Sequence, residues 1–471
     1  MAAQGEVFDP ATLWSPTSAK SVEFSNRLAL AIGQLPPGIG SYAGYLSGLD
    51  QAQPGLGRRG SQEPKPFLEG QKNLSTTWED LSKCMHQAQP ALQSLRALMQ
   101  DPPPEPDYDI VQRLESDLIP NYVNVRRGAQ ALHAAVIQDL HCGDLEAAQK
   151  DISALSAFVE LHEGDPTLVC FMIRVAILGL SVDAYWDALQ ASCWTEPQLA
   201  ALQKACRCDK LLLQMPRAMA AERVVRLSQL RWFRSHSYEE WAGKYQEIYQ
   251  SFGGSIPSSG TNAAVRLWRE RFFHPTWRFA SADQEQLNYL CHVQDDLEIL
   301  RRGAEQGSWI TLGQQMAARH RIYRPPVASW RFYTRMPFVD YFSEVIGPSP
   351  FPAPYPYPDF SRAWFVTMKN LTLNQMVSTV IALKRYQLRH GRLPAALAAL
   401  VPDFLPVAPR DYMDGQPLRY RGNSDGSFTL YSVAEDAVDD GGDPSSADSP
   451  NLRQPARPWT GRDWVWPRSE K

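Results

Sequence analysis

At 471 residues the chain is too long for one small core, and ordinary domain sizes predict roughly two to four cooperative units. Hydrophobic residues at 44% and charged residues at 21% lie near the averages of globular proteins, which argues against wholesale disorder and against a membrane bundle. Lys plus Arg number 47 against 51 for Asp plus Glu, a net charge of -4 with no long block of either sign, and this argues against a nucleic-acid-binding stripe.

Residues 1–70 read as an extended or loop-rich arm. The opening MAAQGEVFDP has neither the basic start nor the apolar stretch of a signal peptide. From Gln34 to Gly70 the chain is rich in Gly and Pro, with no sustained apolar period.

A helical body is expected over 71–346. Thr76 followed by Glu79 forms a capping box, and Leu81, Met85, Leu92, Leu95 and Leu98 give an apolar face broken at Pro90. Between Tyr122 and Gln190 three helical runs follow one another across HCGD and EGDP. Gly143 closes the first and Asp144 starts the second. Asp165-Pro166 is read as the cap and first-turn proline of the third. The stretch GDLEAAQKDISAL resembles the turn and second helix of a tetratricopeptide hairpin, without a second copy at a fixed period, so a helical bundle and a short helical repeat both stay open. Leu168 to Val182 is shorter than the ~20 residues that cross a bilayer and carries Arg174, which predicts a buried core helix rather than a transmembrane segment. Thr195 with Gln198, Ser237 with Glu240 and Ser281 with Gln284 mark three more capped helices, and Pro216 is expected to kink the one around it.

Seven scattered cysteines predict mostly buried free thiols, and Cys206-Arg-Cys208 lacks the further ligands that a zinc site needs. Nine histidines are present, none in a recognisable catalytic motif, so no catalytic residue is assigned. Glu160, His162, Glu163 and Asp165 read as a helix-end cluster rather than a metal site. Asp295-Asp296 reads as part of a surface charge lattice neutralised by Arg301 and Arg302. Fourteen Trp within an aromatic content of 11% leave a second reading open, a helical carbohydrate-active hydrolase or sugar-binding protein using exposed aromatics and paired carboxylates.

Proline at every second position from Pro348 to Pro358 predicts a semi-rigid connector over 347–360, with Phe351, Tyr355 and Tyr357 free to dock on a partner or on the chain's own bundle, the second being favoured because apolar linker side chains usually find the nearest core. A small α+β module then occupies 361–445. Its helix runs from Leu371 to Arg389 and stops at His390-Gly391, and two short strands pair as a hairpin across RGNSDGS. Residues 446–471 form a C-terminal tail.

The order of this module, helix, then GRLP, LVPDFLP, DGQPLRY and FTLYSVAED, resembles the soluble C-terminal part of type II secretion major pseudopilins over about Asn370 to Asp443. In that family the loop after the last strand binds calcium through carbonyl groups and carboxylates. The resemblance therefore implies that Asp436, Asp439, Asp440 and Asp443 could supply ligands, with Ala434 and Ala437 where the family usually has glycine. The proline connector replaces the apolar assembly helix of pseudopilins, so polymerisation is not expected. From Tyr122 onward the arrangement also resembles an uncharacterised family of bacterial envelope proteins that often begin with a membrane anchor. That likeness implies a cell-envelope or periplasmic location and no activity. The expectation for the whole chain is a mainly α protein, a helical bundle or short repeat body with a small C-terminal α+β module, acting as a non-enzymatic scaffold that binds protein partners.

Overall fold

The structure is a computed structural model that describes residues 17–40, 78–105, 122–191, 193–206, 209–240, 269–276, 278–279, 282–323, 360–445, 459 and 461–467. It is mainly helical, with one small antiparallel sheet. The longer helices among the described residues are α1 (Ala19–Gly33), α2 (Trp78–Leu98), α3 (Tyr122–His141), α4 (Leu145–Glu160), α5 (Leu168–Gln190), α6 (Glu196–Ala205), α7 (Asp209–Ser235), α8 (Ala282–Gln306), α9 (Trp309–Tyr323) and α10 (Ser361–His390). The strands are β1 (Arg419–Gly422), β2 (Phe428–Ser432) and β3 (Trp464–Trp466), in that order across the sheet.

Local signals account for many boundaries. Gly143 takes the left-handed conformation (φ 74°), and the Asp144 side chain accepts a hydrogen bond from the Ala147 amide at 3.0 Å, so the HCGD turn ends α3 and starts α4 as expected. Gln198 accepts from the Thr195 amide at 3.0 Å, and Glu240 from the Ser237 amide at 2.8 Å. The capping boxes at Thr76 and Ser281, the connector with Phe351, Tyr355 and Tyr357, and Cys208 lie outside the described residues.

Three local expectations are corrected. Within 1–70, residues 19–33 are a helix: Ser18 accepts from the Ser21 amide, and Phe24, Leu28, Ala31 and Ile32 bury one face. Pro90 does not break α2, because Leu81, Met85, Ala88, Ala91, Leu92, Leu95 and Leu98 stay buried on a continuous face. Asp165 does not cap α5. Thr167 does, accepting from the Cys170 amide, while Asp165 turns back to accept from the Thr167 amide at 2.8 Å and from the Tyr122 hydroxyl.

α5 has the length and apolarity of a membrane span, but it runs through the protein interior, with side chains from Leu168 to Leu189 buried along its length. The cost of burying Arg174 in this helix is offset by hydrogen bonds to the Val159 carbonyl and the Gln214 side chain, both at 2.6 Å.

α10 begins ten residues before the expected start. From Trp364 to Leu383 it is buried almost all round, the pattern of a helix enclosed on every side. α5 and α6 pack on it from the helical body. Asn370 donates to the Val175 carbonyl at 2.9 Å, and the absence of a side chain at Gly179 makes room for it: a Cβ there would stand 3.2 Å from the Asn370 amide nitrogen. Asn374 donates to the Cys206 carbonyl, and Arg385 bonds Glu196 and Gln203. The C-terminal region and the body thus share one hydrophobic core, in which Leu418, Leu430, Val433, Trp464 and Trp466 join residues of α2 to α10. The module's helix packs as a layer of the body.

Candidate functional site

The hairpin pairs as expected, with Arg419 opposite Tyr431 and Tyr420 opposite Leu430. The tail adds a strand that sequence patterning missed: Leu430 pairs with Trp466 and Ser432 with Trp464. The ring of Trp186 on α5 meets those of Trp459 and Trp466 edge-on at 4.9 and 4.4 Å. Lys369 of α10 donates to the Trp459 carbonyl and lies 5.2 Å from the centre of the Trp464 ring. The signal was present in DWVWP, where alternating aromatics follow an acidic residue.

The centre of the C-terminal region is Asp411, which is fully buried. It accepts from the amides of Met413 and Val433, from the Ser432 hydroxyl at 2.9 Å and from the Arg419 guanidinium at 3.0 Å. Burial pushes its carboxyl up to about 6 against the pull of the Met413, Ser432 and Val433 hydrogen bonds. Arg419 also bonds Asp414 and stands 3.6 Å from Asp439, so one cation ties the turn at 411–415 to β1 and to the acidic loop.

The loop after β2 is built from left-handed turns. Ala434 (φ 52°), Ala437 (φ 56°), Gly441 (φ 71°) and Gly442 (φ 82°) all lie in the region that favours glycine, so the two alanines adopt the glycine-like path. The four carboxylates named from the sequence each hold a separate local partner. Asp436 accepts from the Val438 amide; Asp439 from the Gly441 amide and the Tyr431 hydroxyl; Asp440 faces Arg462 at 3.7 Å; Asp443 accepts from Ser445. Among the described residues no group of three His, Cys, Asp or Glu side chains is arranged to hold a metal.

A fifth carboxylate, overlooked in the sequence, closes the loop. Asp463 is buried and accepts from the amides of Gly442 and Asp443 through Oδ2, at 2.7 and 3.1 Å. Its Oδ1 is buried and accepts no hydrogen bond among the described residues. Burial first, and then the charges of Asp439 and Asp440, raise its pKa against the two amide hydrogen bonds. A buried carboxylate oxygen without a donor is the atom type that a hard oxygen-seeking cation takes as a ligand.

Other clusters resolve into structural roles. Glu163 receives Lys210 and Gln214 from α7, and the backbone of His162 is left-handed (φ 57°). Arg319 of α9 reaches the acidic pair from the next helix: it stands at 2.5 Å from Asp295 and 2.9 Å from Asp296, and Asp296 is buried instead of lying on the surface. Sequence spacing favours partners three or four residues away, so a partner from the next helix escaped it. Of the six described cysteines only Cys170 and Cys206 are buried, and Cys142, Cys193 and Cys291 are exposed, which corrects the expectation of mostly buried thiols. Trp186, Trp194, Trp364, Trp459, Trp464 and Trp466 are core residues rather than an exposed stacking surface.

Comparison with family models, with curated proteins and with solved structures finds no match to this chain.

Proposed function

We propose that the protein is a non-enzymatic scaffold or adaptor of the bacterial cell envelope, a helical body with a pseudopilin-like module that binds protein partners through the body. The observation that carries this reading is the enclosure of α10. In a pilin-type fibre the long helix packs on its neighbours in the assembly, whereas here its apolar surface is consumed by α5, α6 and the sheet of its own chain. That leaves a rigid single-chain platform instead of a polymerising subunit. The burial of six Trp side chains argues the same way, since it removes them from service as a sugar-stacking platform. Affinity capture with the full-length chain from its native cells tests the reading: a stoichiometric protein partner, retained through washing and lost on substitution of exposed body residues, is expected. Retention of no stable partner would count against it.

As part of this reading, calcium is the ion of the acidic loop, with Asp463 Oδ1 and the carboxylates of Asp439, Asp440 and Asp443 as the candidate side-chain ligands and Asp436 at the periphery. The ion would relieve the buried charge of Asp463 and fix the loop against β3. Isothermal titration of the chelator-treated chain is expected to show calcium uptake that is weakened at least tenfold in Asp463→Asn, about 1.4 kcal/mol. Silence at millimolar calcium would end the idea.

A further inference from the structure

The far end of α10 carries a surface that none of these roles uses. Over residues 384–409 four Lys or Arg stand against one acidic residue, Asp403, in a chain whose net charge is -4. The last turn of α10 and the segment after it meet around one buried ring. The guanidinium carbons of Arg385 and Arg389 lie 5.6 and 4.9 Å from the centre of the Phe404 ring, and the His390 ring meets it edge-on at 6.2 Å. Arg385 is spent on Glu196. Arg389 and Arg392 are exposed, and among the described residues neither has a carboxylate at ion-pair distance. The negative end of the α10 dipole accounts for Arg389 and His390 in the last turn. It does not account for Arg392, which follows the left-handed Gly391 (φ 68°). Nor does it account for the apolar groups: Leu388 is 55% exposed and Val407 69% exposed, and Ala395, Ala396, Ala398 and Ala399 also face solvent. Leu388 adjoins Arg389, and Val407 follows Phe404 by three residues, so cations and apolar side chains share one end of the C-terminal region.

We propose that this end docks on an anionic lipid surface, with Arg389 and Arg392 taking headgroup phosphates and Leu388 and Val407 entering the interface. The arginine fork matches phosphate oxygens, and each basic side chain near an anionic surface raises partition about fivefold. Exposure and charge together favour a bilayer over an acidic protein. Side chains exposed by more than half project outward and leave no walls around a partner's side chain, whereas the boundary between headgroups and acyl chains accepts projecting apolar groups with cations beside them. The surface lies in the C-terminal region, so failure of partner binding by the body would leave it standing, and its own failure would leave partner binding untouched.

Flotation of the full chain with vesicles of phosphatidylglycerol and phosphatidylcholine tests the docking, in chelator so that no cation bridges lipid to the acidic loop. The unaltered chain is expected to float with these vesicles and not with phosphatidylcholine alone, and raising salt from about 0.05 M to about 0.5 M should release it. Arg389→Gln combined with Arg392→Gln should keep the helical circular dichroism and lower the partition by about tenfold or more. Leu388→Gln combined with Val407→Gln should also lower it at unchanged charge, and an unchanged partition there would overturn the insertion. Absence of flotation with the anionic vesicles would overturn the proposal, as would equal flotation of the arginine variant and the unaltered chain. Should the arginine variant fail to fold, the unaltered chain still decides, because flotation insensitive to salt overturns the proposal. Binding to soluble polyglutamate without flotation would assign the surface to an acidic protein and overturn it as well.

Discussion

Replacing Val377 with Asp is expected to unfold the body and the C-terminal region together. Val377 is fully buried at the middle of α10, in the core that α10 shares with α5 and the sheet. A carboxylate at this fully buried core position would be taken out of water, and an unpaired buried charge costs several kcal/mol, a large fraction of the roughly 5–15 kcal/mol by which a domain is stable. The informative measurement is the coincidence of transitions. Far-ultraviolet circular dichroism reports the helices, and Trp fluorescence reports tertiary packing across the chain, including the Trp186, Trp459 and Trp466 cluster that joins the body to the sheet. In the unaltered chain both should fall in one step. If the C-terminal region unfolded separately in Val377→Asp while the body stayed intact, the shared core would be disproved.

The second large effect belongs to Asp411→Ala. Removal of this carboxylate leaves the amides of Met413 and Val433 without an acceptor and breaks the contact that draws Arg419 toward the base of the sheet. A loss of about 3–5 kcal/mol is expected by analogy with other buried ion pairs broken from one side, read as a drop in the urea midpoint at unchanged slope. Asp411→Asn, which keeps oxygen acceptors for some of these donors, should lose distinctly less. A change below about 1 kcal/mol in the alanine variant would show that Asp414 alone holds Arg419 and that the buried carboxylate is dispensable.

Much of the helical framework was legible because its signals are local. Gly143-Asp144, Thr195-Gln198 and Ser237-Glu240 lie within one helical turn of each other, and the structure uses each of them. The β1–β2 hairpin was legible for the same reason, with Gly426 at φ 83° in its turn. What escaped depends on contacts between distant segments. β3 is three residues long and gains its meaning only from β2 and from Trp186 more than 250 residues earlier. Arg319 reaches Asp296 from another helix, and Asp463 returns to the acidic loop from the segment read as a tail. α1 was hidden by its context: the Gly- and Pro-rich stretch after it set the reading for the whole arm, although Ser18, Phe24, Leu28 and Ile32 carry a capped helical period. The proline in α2 misled because the rule against mid-helix proline weighs the lost hydrogen bond and not the tertiary burial on either side, which here is unbroken from Leu81 to Leu98.

The order β1-β2-β3 puts the longest strand in the middle and leaves β1 on the border of the sheet. That border is a possible template for a strand from another molecule, and bare backbone of this kind drives association into ribbons. Its sequence, RYRG, answers the hazard: two arginines flank the single aromatic, and Gly422 ends the run after four residues. Arg419 is spent on Asp411 and Asp414, so Arg421, which donates to the Gly441 carbonyl, is the charge that a second chain aligning along β1 would meet. The margin of the sheet is therefore short and carries a cation, two devices that blunt a border strand against pairing with another chain.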